Sequence, residues 1–532
     1  MMFKKIASFA LAATLGLSVA AFGGCKPKVP DTEETLEVYC MNAGYGTEWC
    51  ESLLKMFQEQ DWVKEKYPKI NVVYSSNDIQ NFAESKLNSG SKANTVDLLF
   101  GAALQSFAGP GGEIADLTDL VYNTLVPGDN VTFTDKANSS YNDSNRYIDV
   151  TDLEGAPHWY TVSWAGGMNT FIYNETMLNK YGIKVPNTTD EMLAAFATLK
   201  KNDKYSLIQS KDADYFSYLF PVWWAQYEGI TEYLNFWNGI SGSRYSRNIF
   251  KQKGREKSLE VYRDFLNYSK GYLALSSFTG EFMEQQTLFL KGEAAFHVNG
   301  DWFDNEMRAI SEEVKKDNGG KIDVFKTMKM PIVSALGEKL GITDAQLSAI
   351  VDYVDGAIEI KPAFESTTGY TEEEVIDAVR EARTIVSTIG TNHTAVIPEY
   401  ANGKAVAADF LRFMATDVAL EEYIRVTGGA SLPFTYNLKE KNISLYNQIG
   451  TLQQSRHDYF DTDKYEIYSL PSSDAFPLAR YGGLKAFVTE NYYTTFSSSN
   501  NKKTPQDYMT ETLNAWTQGK WESACSKAGI AL

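Results

Sequence analysis

Apolar residues near the N-terminus fall into short β-rich runs separated by helical periodicity. Residues 36–40, 70–74 and 96–100 are rich in β-branched and aromatic side chains, which predicts three strands. Residues 49–60 set Leu53, Leu54 and Phe57 on one side of a helix, and a second helical stretch runs to about Leu87. Strand, helix, strand, helix, strand predicts an open parallel sheet with right-handed crossovers. Ligands of such sheets bind beyond the carboxyl ends of the strands. That rule selects the loops 41–48, 75–79 and 101–105.

Residues 158–201 carry the densest pattern. Residues 159–173 are aromatic and β-branched and predict extended chain; residues 174–181 predict a short helical turn. Thr188 and Glu191 form a capping-box pair ahead of Met192, Leu193, Phe196 and Leu199, which share one helix face. The succession Tyr173-Asn174, Gly182-Ile183, Pro186, Thr188 and Asp190-Glu191 resembles the middle of extracellular solute-binding proteins of the carbohydrate-binding type. In that family a strand crosses from one lobe to the other at this point. A second resemblance lies in Gly292-Glu293-Ala294-Ala295-Phe296 followed by Gly300-Asp301-Trp302, where the family stacks its Trp on a sugar ring. The segment 403–433, with Gly428-Gly429-Ala430-Ser431-Leu432-Pro433, resembles the family's return to the first lobe and its recrossing.

The resemblance implies an α/β, two-lobed periplasmic-binding-protein-like fold with interlobe crossing strands. It implies a carbohydrate ligand, of oligosaccharide size, held in the cleft and delivered to ABC permease subunits. Sugar recognition needs flat aromatic faces and charged hydrogen-bonding groups. By position these are Tyr45, Glu48, Trp164, Asp214, Tyr215, Trp223, Asp301, Trp302 and Arg480. Glu48 equally suits the positive end of the helix that follows it; Asp212 is the alternative carboxylate to Asp214, and of Trp223 and Trp224, which core packing would also explain, one is expected in the cleft. In the loop 101–105 the chain reads Gly-Ala-Ala-Leu-Gln, without the aromatic and charged residues that maltose-binding protein carries there.

Residues 332–392 are longer than in compact relatives. Helices are expected over 344–353 and 371–389, the second opened by the capping box Thr371 and Glu374. An EF-hand near Asp352 and Asp355-Gly356 fails on ligand spacing. Residues 129–145 read as a polar loop, and the last helix as 505–516. The expected organisation is a first lobe of 36–157 plus about 393–430. The second lobe is 158–392 plus 431–532, with a helical insertion at about 332–392.

The 532 residues exceed what one hydrophobic core serves. A net charge of −18 argues against nucleic acid or an anionic membrane surface as the main partner. Lys4 and Lys5 precede an uncharged run to Gly24, the pattern of a secretory signal. Phe22-Gly23-Gly24-Cys25 resembles a bacterial lipobox, which implies cleavage before Cys25 and lipidation there. Residues 25–35 then read as a tether, and the protein is expected as a monomer anchored outside the cytoplasmic membrane. Cys40 and Cys50 stand as either a local bridge or buried thiols. His158, His297, His393 and His457 are scattered, so neither metal nor cofactor is expected. Two other functions fit parts of the chain: a secreted glycan hydrolase, which needs two carboxylates at set separation, and a peptide-binding protein of similar length.

Overall fold

The β-branched runs near the N-terminus pair as parallel strands. Thr35–Met41 lies between Asn71–Asn77 and Leu98–Ala102, with Val38 opposite both Tyr74 and Leu98. His393–Val396 adds antiparallel to Leu98–Ala102, and Val162–Ser163 closes that edge. The structure, a computed structural model, describes residues 32–77, 82–90, 95–147, 156–210, 215–390, 392–461, 464–485, 492–500 and 502–532. The helix Glu48–Glu59 covers this sheet with Trp49, Leu53, Leu54 and Phe57, and the helices Lys404–Phe413 and Asp417–Thr427 complete the same core.

A second sheet is built around Met168–Asn174, whose seven residues are all buried. Ala294–Asn299 pairs with one edge, antiparallel, and Tyr205–Ile208 lies beyond it. The other edge is shared by Phe325–Thr327 and Ile385–Thr388, and Tyr468–Ser469 ends the order. The mixed α/β chain therefore forms two sheets, each with its own helical cover, as the resemblance implied. The chain passes from the first sheet to the second between Ser163 and Met168, a few residues after the boundary drawn at 158.

Segments 164–167 and 389–390 link the sheets, and the first-lobe turn 428–431 lies against them; the chain after that turn stays in the first-lobe core through Ile449 and crosses again before Leu452, so the boundary expected at 431 moves to about 450. They bond to one another, which fixes the hinge as a unit. The Ile389 amide donates to the Gly167 carbonyl at 2.9 Å, and the Gly166 amide to the Ser431 carbonyl at 2.8 Å. Gly167 has φ +54, and a Cβ there would lie 2.4 Å from Ile389 Cγ1 and 3.0 Å from the Tyr45 hydroxyl. Only glycine meets both conditions.

Several local expectations change. The helix expected over 371–389 ends at Thr384, and Ile385–Thr388 becomes a strand. Ile385, Val386 and Thr388 are β-branched, and two strand edges are free to receive them. Residues 129–145 hold two short helices, Phe133–Lys136 and Ser139–Asn145, capped by the side chains of Thr132 and Asn138. Thr188 caps Thr189–Lys201 as expected, but Glu191 reaches back to the amide of Asn187 rather than of Thr188. A further helix, Gln518–Lys527, follows Pro505–Ala515 and buries Trp521. The helices Ala335–Leu340, Asp344–Val354 and Glu372–Thr384 bury Leu347, Val351, Val375 and Val379 in one core with Trp223 and Trp224.

Candidate functional site

The two cores meet at the turn after Ala294–Asn299. Residues 300–302 leave that strand at its carboxyl end and reach across to the loop after Thr35–Met41. Trp302 belongs to the second sheet by sequence, yet its side chain packs in the core of the first lobe. A Cβ on Gly44 would lie 2.7 Å from the indole, and one on Gly300 would lie 1.8 Å from it. Both glycines are therefore needed for Trp302 to lie flat against backbone.

Tyr45 joins the same cluster from the first lobe. Its hydroxyl donates to Asp301 Oδ1 at 2.5 Å, and the Gly167 amide donates to Asp301 Oδ2 at 3.1 Å. Tyr45 stands edge-on to Trp302 with centroids 6.1 Å apart, and Tyr215 meets the other side at 5.8 Å. Asn305 donates to the Gly44 carbonyl at 2.8 Å, and Gln453 to the Asp301 carbonyl at 2.8 Å. Burial pushes the Tyr45 phenol well above its ordinary pKa, so it stays a donor. This cluster ties the loop, the first crossing segment and the turn of the second sheet. A cavity of about 690 Å³ borders the crossing region at Gly166 and Ser431, between Tyr141, Leu420 and Ile424 and the residues Phe460 and Tyr465.

The structure thus brings together Tyr45, Tyr215, Asp301 and Trp302. It separates others that the sequence suggested. Trp164 is fully buried, donates its indole N–H to the Gly101 carbonyl at 3.0 Å and stacks on Trp49 at 5.5 Å. It supports Tyr45 from behind and offers no free face, so its assignment to the ligand is corrected. Trp223 is likewise core: it is fully buried and its N–H reaches the Pro331 carbonyl at 3.2 Å. Trp224 is buried in the same core and bonds Gln252, so neither of the pair faces the cleft. Glu48 is exposed and accepts the Thr47 amide at 3.0 Å, the role of a first-turn acidic residue. Arg480 ends the helix Pro477–Arg480 with its guanidinium over Tyr481 at 5.7 Å. That helix packs beside Ser473–Ala475, which meets the first-lobe turn Leu104–Phe107. Asp212, Asp214 and Cys25 lie outside the described residues.

Asn305, Gln453 and Arg456 carry parts of the cluster that the sequence reading missed. Nothing local to their helices distinguishes them; only the glycine pair 166–167 inside an extended run gave a signal. Cys40 and Cys50 are free, buried thiols. Burial raises the Cys50 thiol, and its contact with Cys40 raises it further. Burial also lowers His297 and His393 to about 4, so both are neutral at physiological pH. Among the described residues no group of three His, Cys, Asp or Glu could hold a metal ion. Among them, too, no helix is long and apolar enough to cross a membrane.

Two α/β lobes joined by bonded crossing segments, with aromatic and acidic side chains meeting between them, define a ligand-binding protein of the hinged type. Residues 52–447 match the bacterial extracellular solute-binding protein family, and the chain belongs to that family. Solved structures share the fold at low identity. The GacH receptor of Streptomyces glaucescens, studied with and without acarbose, is 14% identical with a TM-score of 0.51, covering 92% of this chain and 98% of its own. An ABC substrate-binding protein from Listeria monocytogenes in complex with cycloalternan is 12% identical at 0.52, covering 93% and 99%. A chitin oligosaccharide binding protein is 11% identical at 0.53, covering 93% and 98%.

Proposed function

We propose that this protein captures an oligosaccharide in the cleft between its lobes and hands it to an ABC importer. The observation that carries this reading is the Trp302 turn, which meets Tyr45 and Tyr215 with Asp301 beside them. Aromatic rings suit the C–H faces of sugars, and a carboxylate suits their hydroxyls. Structural relatives that bind acarbose, cycloalternan and chitin oligosaccharides support the same ligand class. The function is binding rather than catalysis, and the lobes part to admit the sugar and close over it. Cys25, after an uncharged run and the sequence Phe-Gly-Gly, carries the lipid that keeps the monomer at the outer face of the membrane. The helices Asp344–Val354 and Glu372–Thr384 cover the second lobe and take no part in the ligand floor.

Titration calorimetry against a panel of malto-, xylo-, chito- and raffinose-type oligosaccharides tests the reading. Saturable binding to at least one sugar is expected, with a fall in radius of gyration by solution scattering. Absence of binding across the panel, or release of new reducing ends from a bound glycan, would overturn it.

A further inference from the structure

Arg456 lies on the helix Thr451–Phe460, beside the Asp301 turn. Its side chain is 3% exposed, and Nε, Nη1 and Nη2 all lie buried without a hydrogen-bond partner. Five N–H donors are thus left unused in the interior, a costly arrangement for a permanent cation. The nearest acid is Asp301, whose Oδ1 is 4.0 Å from Nη1, too far for a hydrogen bond. That same oxygen accepts the Tyr45 hydroxyl at 2.5 Å, while Oδ2 is held by the Gly167 amide. Burial pulls the guanidinium down to about 9.

Arg456 and Asp301 are joined through one helix, which also meets the 438–446 segment of the first-lobe core at Gln454 and Asp458. Leu452, on the Arg456 helix, packs with Ile172, Phe303 and Phe325 of the second lobe, and Gln453 of that helix donates to the Asp301 carbonyl. Tyr45 comes from the other lobe. Parting the lobes removes Tyr45 from Asp301 Oδ1 and leaves the freed oxygen a short rotamer change from Arg456. Closing them restores the phenol and strands the guanidinium. We propose that Asp301 exchanges partners between Tyr45 when the cleft is closed and Arg456 when it is open, and that this exchange penalises closure on an empty cleft. A ligand with acceptor oxygens that reaches Arg456 removes the penalty, as a hydroxyl-rich sugar does. This deepens the reading of the cleft as a sugar site, and its test uses no sugar.

Nitroxides at K55C and E312C, exposed positions on the two lobes, report the interlobe distance in the soluble C25S protein by pulsed dipolar spectroscopy. Arg456→Met removes the stranded charge and keeps much of the side-chain volume. Its ligand-free closed-to-open ratio is expected to rise at least fivefold over the parent. Tyr45→Phe keeps the ring and removes the closed-state bond, and its ratio is expected to fall at least fivefold. An unchanged or lowered ratio in folded Arg456→Met overturns the proposal. Should that variant not fold, Tyr45→Phe decides alone, and a ratio equal to the parent's overturns it. Failure of the sugar panel leaves these distances untouched, so the two readings fail separately.

Discussion

Asp355 at the end of the helix Asp344–Val354 is the best place to test how the inserted helices are held. Its carboxylate accepts Arg383 Nη2 at 2.8 Å and Nε at 3.1 Å, and the Tyr465 hydroxyl at 2.7 Å, with Lys329 Nζ at 3.1 Å. Arg383 also donates to the Met330 carbonyl at 2.6 Å. Asp355→Ala removes one partner of this buried group and leaves Arg383, 4% exposed, without its counter-charge. Breaking a buried pair from one side costs about 3–5 kcal/mol. With a urea slope of about 3 kcal/mol per molar, the unfolding midpoint of the second lobe should fall by about 1–1.7 M. Asp355→Met with Arg383→Met should recover part of this, because the buried guanidinium is no longer stranded and only the partly exposed Lys329 loses its counter-charge. The same group sets a pH dependence. Burial acts to raise the Asp355 pKa, but Arg383 first, then Lys329 and Tyr465, outweigh it and hold the carboxyl below its usual range. A carboxyl depressed in the folded state contributes stability above its unfolded pKa of about 3.9 and loses it as pH falls through the folded value. The wild type should therefore weaken below about pH 4 more steeply than Asp355→Ala. A midpoint within about 0.3 M of wild type at pH 7 would refute the reasoning, as would identical acid profiles.

Trp302→Ala should weaken binding of any sugar found in the panel by more than tenfold, and Trp302→Phe by less, measured by calorimetry; large aromatic anchors commonly contribute about 2 kcal/mol or more. Trp223→Ala should instead destabilise the second lobe by about 3–5 kcal/mol in urea unfolding, with affinity of the folded fraction unchanged within threefold. Cys25→Ala should move the protein from the membrane fraction to the medium, and a variant still sedimenting with membranes would end the lipid-anchor reading. Excision of residues 335–384 with a short Gly/Ser closure should leave measurable sugar affinity, and a folded excision protein without binding would place those helices in the ligand floor.

The fold was legible where local pattern and global topology agree. The runs at 36–40, 70–74 and 96–100 alternate with helical spacing, and that alternation specifies a parallel sheet before any contact is known. The glycine–acid–Trp turn at 300–302 was legible through its resemblance, with Gly292-Glu293-Ala294-Ala295-Phe296 ahead of it, to the solute-binding family's pattern. Residues 385–388 misled because Val386 and Ile389 continue the helical spacing of Val375, Val379 and Ala382. Periodicity alone cannot see that two strand edges await those residues. The tryptophans misled for a different reason. An indole has a flat face whether it meets a sugar or another ring; Trp164, stacked on Trp49, and Trp302 both lie in the first-lobe core, and what separates them is that Trp302 arrives from the second sheet and Trp164 from the first crossing segment. Arg456 gave no signal, since its meaning comes from the turn it lies beneath.

The insertion and the hinge are mechanically continuous. Arg383 lies in the last turn of Glu372–Thr384, and the strand Ile385–Thr388 begins two residues later. That strand pairs with Met168 and Asn169 and runs into the second crossing segment, whose Ile389 bonds Gly167. Gly167 in turn holds Asp301 Oδ2. A chain of direct bonds therefore runs from Asp355 through Arg383 and the crossing strand to the carboxylate between the lobes. Rigid anchoring at Asp355 keeps the crossing segments in register while the lobes move about them. On this path, loosening the helices at Asp355 should broaden the interlobe distances of the ligand-free protein.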